Sequence, residues 1–217
     1  GASRQQSAEI GLRGRHGWGG WTATLFDVRT QDEIVPAQNL GGRTTFQNAG
    51  RTHRHGLELS ADAEFGPVTL TGAATFIEAR FRDGYSKCAA PPCANPADVV
   101  PAGRRIPGIA RQQLYAQLDW RLACAQGAVL GLQARHTGRV PVNDANSDFA
   151  GAATVLALSL RHDITRGAWR LQPFLRIDNL TNRRYAGSVI VNEGNGRFFE
   201  PAAGRSIFVG LEVRARR

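Results

Sequence analysis

The sequence predicts an all-β fold, an antiparallel up-and-down transmembrane β-barrel of which this chain forms about nine strands. Three observations predict it. Polar and apolar residues alternate with period two along almost the whole chain, as in strands whose two faces meet different surroundings. Several of these strands exceed the usual length of five or six residues. Short turns alternate with long connections, which is typical of outer-membrane barrels.

Four stretches of the predicted strands have one uncharged face and one charged face. The strands lie near residues 6–16, 20–36, 43–64, 68–80, 110–122, 127–139, 151–163, 168–178 and 199–215. The uncharged faces carry Leu114, Leu118, Leu171, Leu175, Val209 and Leu211, and the opposite faces carry Asp119, Arg176 and Glu212. We expect the uncharged face to contact lipid. An odd number of strands cannot close with every neighbour antiparallel, so we expect additional strands from elsewhere.

The connections and the aromatic residues give the predicted barrel a direction. Short turns are predicted at 17–19, 65–67, 123–126 and 163–167, and longer connections at 37–42, 81–109, 140–150 and 179–198. Trp18, Trp21, Phe65, Trp120 and Trp169 all lie near a short turn, which favours an aromatic girdle at one membrane interface. The alternative is a soluble β-sandwich with tryptophans capping its core. One solvated face of a sandwich would also carry charges.

Composition excludes two classes of protein. The chain has 217 residues, 27 of them Lys or Arg against 18 Asp or Glu, for a formal net charge of +9. These basic residues are spread along the chain and do not cluster, so no nucleic-acid partner is predicted. No apolar run approaches the ~20 residues of a membrane helix, so a membrane would be crossed by strands. The absence of methionine and the opening Gly1-Ala2-Ser3 lead us to expect a piece of a longer protein.

Cysteine and histidine give little indication of a metal. Cys88 and Cys93 lie close together in a segment rich in Ala and Pro, which predicts a disulfide in an oxidising compartment. Free thiols and a metal site are the alternatives for this pair, while Cys124 is interpreted as a small apolar residue. His53 and His55 share a strand face, but no third ligand is adjacent, so we interpret them as lumen-lining or interface residues. No metal and no cofactor are predicted.

Four segments, in order along the chain, carry a resemblance to a known family. Residues 48–59 contain an asparagine–glycine–glycine–glutamate pattern in Asn48, Gly50, Gly56 and Glu58. Residues 104–120 follow a long predicted connection and begin a strand. Residues 177–187 contain Asn179, Leu180, Asn182 and Tyr185, and residues 198–215 contain Pro201, Gly204 and Arg205. Together these segments resemble the TonB-dependent outer-membrane receptors, in particular siderophore receptors, over most of the chain.

The resemblance implies a monomeric barrel of about twenty-two strands in the outer membrane of a Gram-negative bacterium, surrounded by outer-membrane lipid. It implies a plug domain, a TonB complex as the energy-supplying partner, and import of a scarce ligand, foremost a ferric siderophore or another small chelate or cofactor. Residues 1–217 would form the C-terminal portion of that barrel. The plug and the segment that contacts TonB are not in this sequence.

The long connections hold the candidate ligand-binding residues. These are Arg82, Tyr85, Asn192, Arg197 and Phe198, a mixture of cationic and aromatic groups suited to an anionic ligand with aromatic rings. Packing within the loops is the alternative role for them. The sequence has no Gly-x-Ser-x-Gly, phosphate-loop or His-Glu-x-x-His motif, so we predict that the protein is not an enzyme. Two alternatives stay open: a small outer-membrane protease or lipase, and a structural or translocator barrel.

Overall fold

The computed structural model describes residues 2–87 and 98–215, which fold into β-strands joined by turns and loops. The strands are β1 (Arg4–His16), β2 (Gly19–Gln31), β3 (Ile34–Leu40), β4 (Arg43–Asn48), β5 (Thr52–Phe65), β6 (Val68–Phe81), β7 (Tyr85–Lys87), β8 (Asp98–Val100), β9 (Gln112–Arg121), β10 (Ala128–Thr137), β11 (Val140–Pro141), β12 (Phe149–Ala150), β13 (Ala153–His162), β14 (Ile164–Arg166), β15 (Trp169–Asp178), β16 (Ala186–Val189), β17 (Phe199–Pro201) and β18 (Ser206–Ala215). In these two ranges no helix is long and apolar enough to cross a membrane.

The long strands form one antiparallel sheet in the order β1-β2-β5-β6-β9-β10-β13-β15-β18. The short strand β14 continues β13 and pairs with the first residues of β15. Each long strand therefore lies beside the long strands that precede and follow it along the chain. This confirms the predicted antiparallel, up-and-down order and the predicted nine strands. The remaining strands form two-stranded hairpins, β3-β4, β7-β8, β11-β12 and β16-β17, in the connections between long strands.

Three predicted strands are interrupted. The prediction of single strands over 20–36 and 43–64 is wrong, because β2 and β5 are separated from the β3-β4 hairpin by residues with left-handed backbone angles. Asp32 has a φ of 53° and Gly50 a φ of 71°, and such angles end an extended segment. The predicted strand 199–215 is likewise divided into β17 and β18. Side-chain alternation does not reveal the breaks at Asp32 and Gly50, since they are set by backbone angles.

The sheet has an uncharged face across its middle, here called the apolar face. Directly opposite residues of neighbouring strands share a face, and one such row runs through Leu70, Leu118, Leu132, Leu158, Ile177 and Ile207. The six residues predicted to contact lipid all lie on the apolar face. Val209 is 79% exposed, and none of the six belongs to the buried core. Their predicted placement outside a closed core is confirmed.

The short turns lie together at one end of the sheet, the turn end. Trp18, Trp21, Trp120 and Trp169 are there and remain about half exposed. The Trp18 ring stacks on Phe65 with centroids 6.1 Å apart, which joins the β1-β2 turn to the β5-β6 turn. Rings at one height beside an apolar face are what an interfacial girdle requires.

The buried core lies at the other end, the loop end, beneath the long connections. It is a cluster of Val35, Ala49, Ala79, Phe81, Val100 and Ile106. These residues come from β3, β6, β8 and the segments that join them, so the cluster holds the first two long connections against the sheet. The loops are therefore packed on the barrel strands by apolar contacts.

Candidate functional site

The second face of the sheet, here called the polar face, carries a connected hydrogen-bond network across β9, β10 and β15. The Gln133 side-chain amide donates to the Tyr115 hydroxyl at 2.9 Å, and Gln117 donates to Asp119 at 2.6 Å. Tyr115 donates to Gln117, and the Arg176 guanidinium donates to the Gln133 carbonyl at 3.1 Å. Because each donor or acceptor orients the next, the network holds these polar groups in fixed positions.

A cavity of about 760 Å³ opens on the polar face near the loop end. The polar residues that line it include Gln113, Gln133, Arg135, Arg176, Asp178, Tyr185 and Ser188. Small residues of β13, Ala153 and Ala157, also line it and leave the space open. Part of its wall comes from the loop strands β11, β12 and β16. This volume is in the range that accommodates a small-molecule ligand.

The two arginines in the cavity differ in their partners. Arg176 is paired with Asp178 at 2.8 Å and also donates to Gln133. Arg135 lies opposite Tyr115 on one side and Val155 on the other, and within the described ranges it has no acidic partner. A guanidinium presents several donors in one plane, which suits the oxygens of an anion. Arg135 is therefore the group best placed to receive a negative charge in the cavity.

A buried polar junction joins the loops above the cavity. The Asp144 carboxylate is fully buried and accepts hydrogen bonds from the Asn192 amide at 2.8 Å and from the Lys87 ammonium at 3.3 Å. The Asn192 side-chain amide also donates to the Pro36 backbone carbonyl at 2.7 Å, and the Asn192 side-chain oxygen accepts the Asp144 backbone N–H at 3.1 Å. Segments from all four long connections thus meet at the contacts of Asp144 and Asn192.

Tyr85 belongs to the same region. Its ring packs edge-on against Phe81 with centroids 5.1 Å apart. Burial, and then the negative charge of the neighbouring Asp144 carboxylate, raise the pKa of the Tyr85 hydroxyl well above its usual range. The hydroxyl therefore stays protonated, and so able to donate a hydrogen bond, at any physiological pH.

The structure brings two of the five predicted ligand-binding residues together and separates the other three. Tyr85 and Asn192 both lie beside Asp144, and the Asn192 side chain bonds its carboxylate directly. Arg82 instead donates to His53 at 2.8 Å, away from this junction. Arg197 is exposed in a turn closed by its backbone N–H and the Glu193 carboxylate at 2.7 Å.

Phe198, the fifth of these residues, is half buried and contacts the ring of Phe199 edge-on at 6.2 Å. Loop packing accounts for the position of this ring. Contact of any of the five with a ligand stays a prediction.

The family-motif residues near the C-terminus form a turn. Asn179, with a φ of 49°, accepts the Arg183 backbone N–H at 2.8 Å, and its amide donates to the Ala203 carbonyl at 3.1 Å. The Asn182 carbonyl accepts the Arg205 backbone N–H at 2.9 Å. These bonds tie the end of β15 to the segment that leads into β18. The motif positions therefore have a structural role in this region.

The motif around β5 includes a close backbone approach at Gly56. A Cβ atom on Gly56 would lie 2.2 Å from the Phe76 carbonyl oxygen and 2.6 Å from the Phe26 ring. Only glycine permits this contact. Glu58, two residues later, lies opposite Thr24 and Thr75 on the polar face.

Sequence reasoning missed three residues of this region, namely Arg135, Lys87 and Asp144. Arg135 occupies a polar-face position in a predicted strand, so its alternation gave a usable signal. Lys87 and Asp144 gave none, because their pairing depends on how two loops pack.

The predicted cysteine pair is not tested, since Cys88 and Cys93 lie outside the described residues. Cys124 is a free, exposed thiol in the turn after β9. The rings of His53 and His55 lie 4.8 Å apart. Over residues 2–87 and 98–215, no group of three or more His, Cys, Asp or Glu side chains is arranged to hold a metal ion.

Comparison with known proteins gives one family and one fold. The family model described as TonB dependent receptor-like, beta-barrel, matches residues 3–180. The siderophore receptor PiuA from Acinetobacter baumannii is similar over 97% of this chain and 28% of its own, with 18% identity and a TM-score of 0.77. The match to the ferric yersiniabactin uptake receptor FyuA from Yersinia pestis covers 98% of this chain and 30% of the FyuA chain, with 21% identity and a TM-score of 0.73. At such identities the likeness establishes the fold, and the chain spans less than a third of either receptor.

Proposed function

Because the chain belongs to the TonB-dependent receptor β-barrel family, we propose that it forms part of a receptor that imports a scarce ligand. Barrels of this family lie in the outer membrane. The ligand class that we propose is a ferric siderophore or a similar anionic chelate, as in the receptors of like fold. The TonB complex would supply the energy. The whole receptor acts as a monomer in this proposal.

The observation that carries the proposal is the cavity of about 760 Å³ with an unpaired arginine in it. Chelates of Fe³⁺ present negatively charged oxygens, and hydrogen bonds from a guanidinium to such oxygens are among the strongest that proteins make. Arg135 would hold the charged part of the ligand. Tyr185, which also lines the cavity, would contact its apolar or aromatic part.

The buried junction supports this role by ordering the loops above the cavity. A ligand site built from mobile loops loses affinity to the entropy of ordering them. Here the Asp144 and Asn192 contacts join the four long connections before any ligand arrives. The site is thereby partly organised in advance.

The remainder of the receptor would come from outside this chain. In the described residues, β1 pairs only with β2, and β18 pairs only with β15. Both edges of the sheet can therefore accept further strands, and a plug domain would occupy the space against the polar face. We propose that residues 1–217 act as the C-terminal portion of such a barrel.

A catalytic role is not favoured by the positions of the histidines. His136 bonds Thr154, His162 bonds the Gln126 carbonyl, and His53 bonds Asp27. An outer-membrane protease or lipase needs a histidine converging with a nucleophile and an acid. We therefore propose that the protein is not an enzyme.

The test is uptake of radiolabelled iron by cells that express the full-length protein, with catecholate, hydroxamate and carboxylate chelates as probes. We expect one class to be imported in a TonB-dependent way. Arg135→Gln should raise the half-saturating concentration about ten-fold or more, because a hydrogen bond to a charged group contributes about 1.5–3 kcal/mol. Arg166→Gln, which removes the same charge at the turn end, is the control. Unchanged uptake in Arg135→Gln, or no import of any chelate, would contradict the proposal.

A further inference from the structure

The apolar face ends along a line, and charged residues begin directly beyond it. Leu25, Leu57 and Phe76 are opposite one another on β2, β5 and β6. Two residues further toward the loop end, the same face carries Asp27, His55 and Glu78, and two residues beyond these it carries Arg29, His53 and Arg80. Because the rows are in register, the change occurs at one height on three neighbouring strands.

Arginines dominate the region beyond this line. Arg4, Arg29, Arg51 and Arg82, together with His53, surround a second cavity of about 760 Å³ and are here called the arginine cluster. Arg4 belongs to β1, where it lies on the same face as Gln6, which is opposite Arg29. The cluster therefore joins β1, β2, β5 and the end of β6 on the outward side of the sheet.

The acidic residues nearby are already paired. Asp27 bonds Arg29 at 2.9 Å and His53 at 2.5 Å. Asp83 bonds Arg51 at 2.7 Å. Arg4 and Arg82 have no acidic partner in the described part of the chain, so the arginine cluster carries an excess of positive charge.

The contact of Arg82 with His53 does not reduce this positive charge. A guanidinium only donates, so the His53 Nδ1, 2.8 Å from Arg82, must accept. The ring proton then resides on Nε2 and is donated to Asp27. His53 is neutral in this arrangement and leaves the Arg82 charge uncompensated.

A second group of arginines extends the positive region past β6. Arg80 and Arg111 both pair with the single carboxylate of Glu78. Burial, and then repulsion from Arg111, lower the pKa of the neighbouring Arg105. Arg80 and Arg111 thus share one acidic partner, Glu78, so this region also carries an excess of positive charge.

The height of the arginine cluster coincides with lipid headgroups. From Leu57 to Phe65 the apolar face of β5 runs about 26 Å along the strand, at ~3.3 Å per residue. At a strand tilt of about 40° this run is roughly 20 Å tall, close to the outward apolar band of about 25 Å that is typical of outer-membrane barrels. His53 lies four residues beyond Leu57, about 13 Å further along the strand, and strands tilted by about 40° place it roughly 10 Å above the band.

We propose that the arginine cluster binds the phosphate groups of a phosphorylated lipid in the loop-side leaflet of the outer membrane. Arginine matches phosphate geometry with two parallel hydrogen bonds, and its donors face outward at the height of the headgroups. Arg4 and Arg82 supply the free donors. The bonds from Asp27 to Arg29 and His53 hold the side chains that line the cavity between them. The lipid would anchor the loop end of the barrel at the membrane surface. The inference rests on the membrane placement of the family and not on the imported ligand.

The experiment uses the purified full-length receptor in detergent and measures lipid retention by native mass spectrometry. The probes are lipid A with its phosphates and the same lipid after enzymatic dephosphorylation. We expect wild type to retain only the phosphorylated lipid, and Arg4→Gln/Arg82→Gln to lower its affinity about ten-fold or more. The matched control is Arg13→Gln/Arg15→Gln, which removes two unpaired charges from the polar face and should bind as wild type does.

Three results would overturn the inference. The first is equal retention of the dephosphorylated lipid, and the second is equal loss in both double variants. The third is full displacement of the lipid by inorganic phosphate at low concentration, which would indicate a site for the free anion. If the double variant fails to assemble, Arg82→Lys keeps the charge but loses the two-pronged bond. It should retain less lipid than wild type, and unchanged retention would count against the inference.

Discussion

The Asn192 side chain and the Asp144 carboxylate, 48 residues apart in sequence, bond each other directly at 2.8 Å, and the Asp144 backbone N–H returns a bond to Asn192 at 3.1 Å. The pair joins the connection between β10 and β13 to the connection between β15 and β18. Lys87 adds a cation from a third connection. Loop order above the cavity therefore depends on a few buried polar atoms.

Asp144→Ala should loosen all these loops together. The change leaves the Lys87 ammonium largely buried without its acid, and removing one partner of a buried pair costs about 3–5 kcal/mol. Faster amide hydrogen exchange is expected over residues 138–152 and near Asn192, with the barrel strands unchanged. Asp148→Ala removes an exposed acid from the same loop and should have little effect. Slow exchange retained in Asp144→Ala would show that other contacts order the loops.

Leu118→Arg should reduce assembled protein in the membrane. Leu118 lies on the apolar face, between Leu70 and Leu132, and a charge near the middle of the lipid-facing band costs about 2–4 kcal/mol. Thr71→Arg, which places the same residue on the polar face opposite Gln117, is the matched control. Heat-modifiable mobility of the folded barrel in gels measures both. Equal loss in the two variants would argue that both faces are buried in protein.

The order of the long strands could be predicted from sequence because alternation reports which face of a strand meets water or lipid. The rows through Leu118 and the neighbouring strands follow directly from it. The interruptions at Asp32 and Gly50 could not be predicted, because a left-handed backbone angle does not disturb side-chain alternation.

The site was predicted less completely than the fold. The chemistry of Tyr85 and Asn192 predicts ligand contact, and the structure places both residues beside Asp144. Their partner Asp144 could not be identified, since its burial results from packing between loops far apart in sequence. Arg82 was expected beside a ligand, yet its guanidinium reaches the outward His53, because β6 ends just before it and the chain turns away.

Gly56→Ala should destabilise the barrel. The added methyl would overlap the Phe76 carbonyl and the Phe26 ring, at 2.2 and 2.6 Å. Overpacking of this kind costs about 1–3 kcal/mol. Gly72→Ala is the control, because a Cβ there meets only the Tyr115 carbonyl, at 3.8 Å. Urea unfolding of the full-length protein should separate the two variants, and identical midpoints would contradict the close contact.

The Arg51–Asp83 contact at the loop end should persist in moderately acidic solution. Hydrogen bonds from the Arg51 side chain and backbone lower the pKa of Asp83 from 3.8 to about 2. Because the pKa is lowered on folding, the stabilising contribution is complete above pH 3.8 and is lost as the pH falls through about 2. Carboxyl-carbon NMR of selectively labelled protein measures the titration, and Arg51→Gln should return it toward 3.8. A midpoint near that value in wild type would mean that the pair is not formed.

Deleting residues 85–103 from the full-length receptor should weaken ligand binding while leaving barrel assembly intact. The deletion removes Tyr85 and Lys87 from the junction at Asp144. The β6-β9 pairing, from Val68 opposite Trp120 to Phe76 opposite Gln112, does not depend on this loop, and exposed loops tolerate change better than membrane strands. Leu118→Arg is the reciprocal variant, expected to lower receptor abundance but not binding per assembled receptor. Growth on the limiting iron chelate, measured with outer-membrane abundance, separates these effects. Normal import by the deletion variant, together with turnover of a peptide or lipid by the purified chain, would replace the receptor proposal with an enzymatic one.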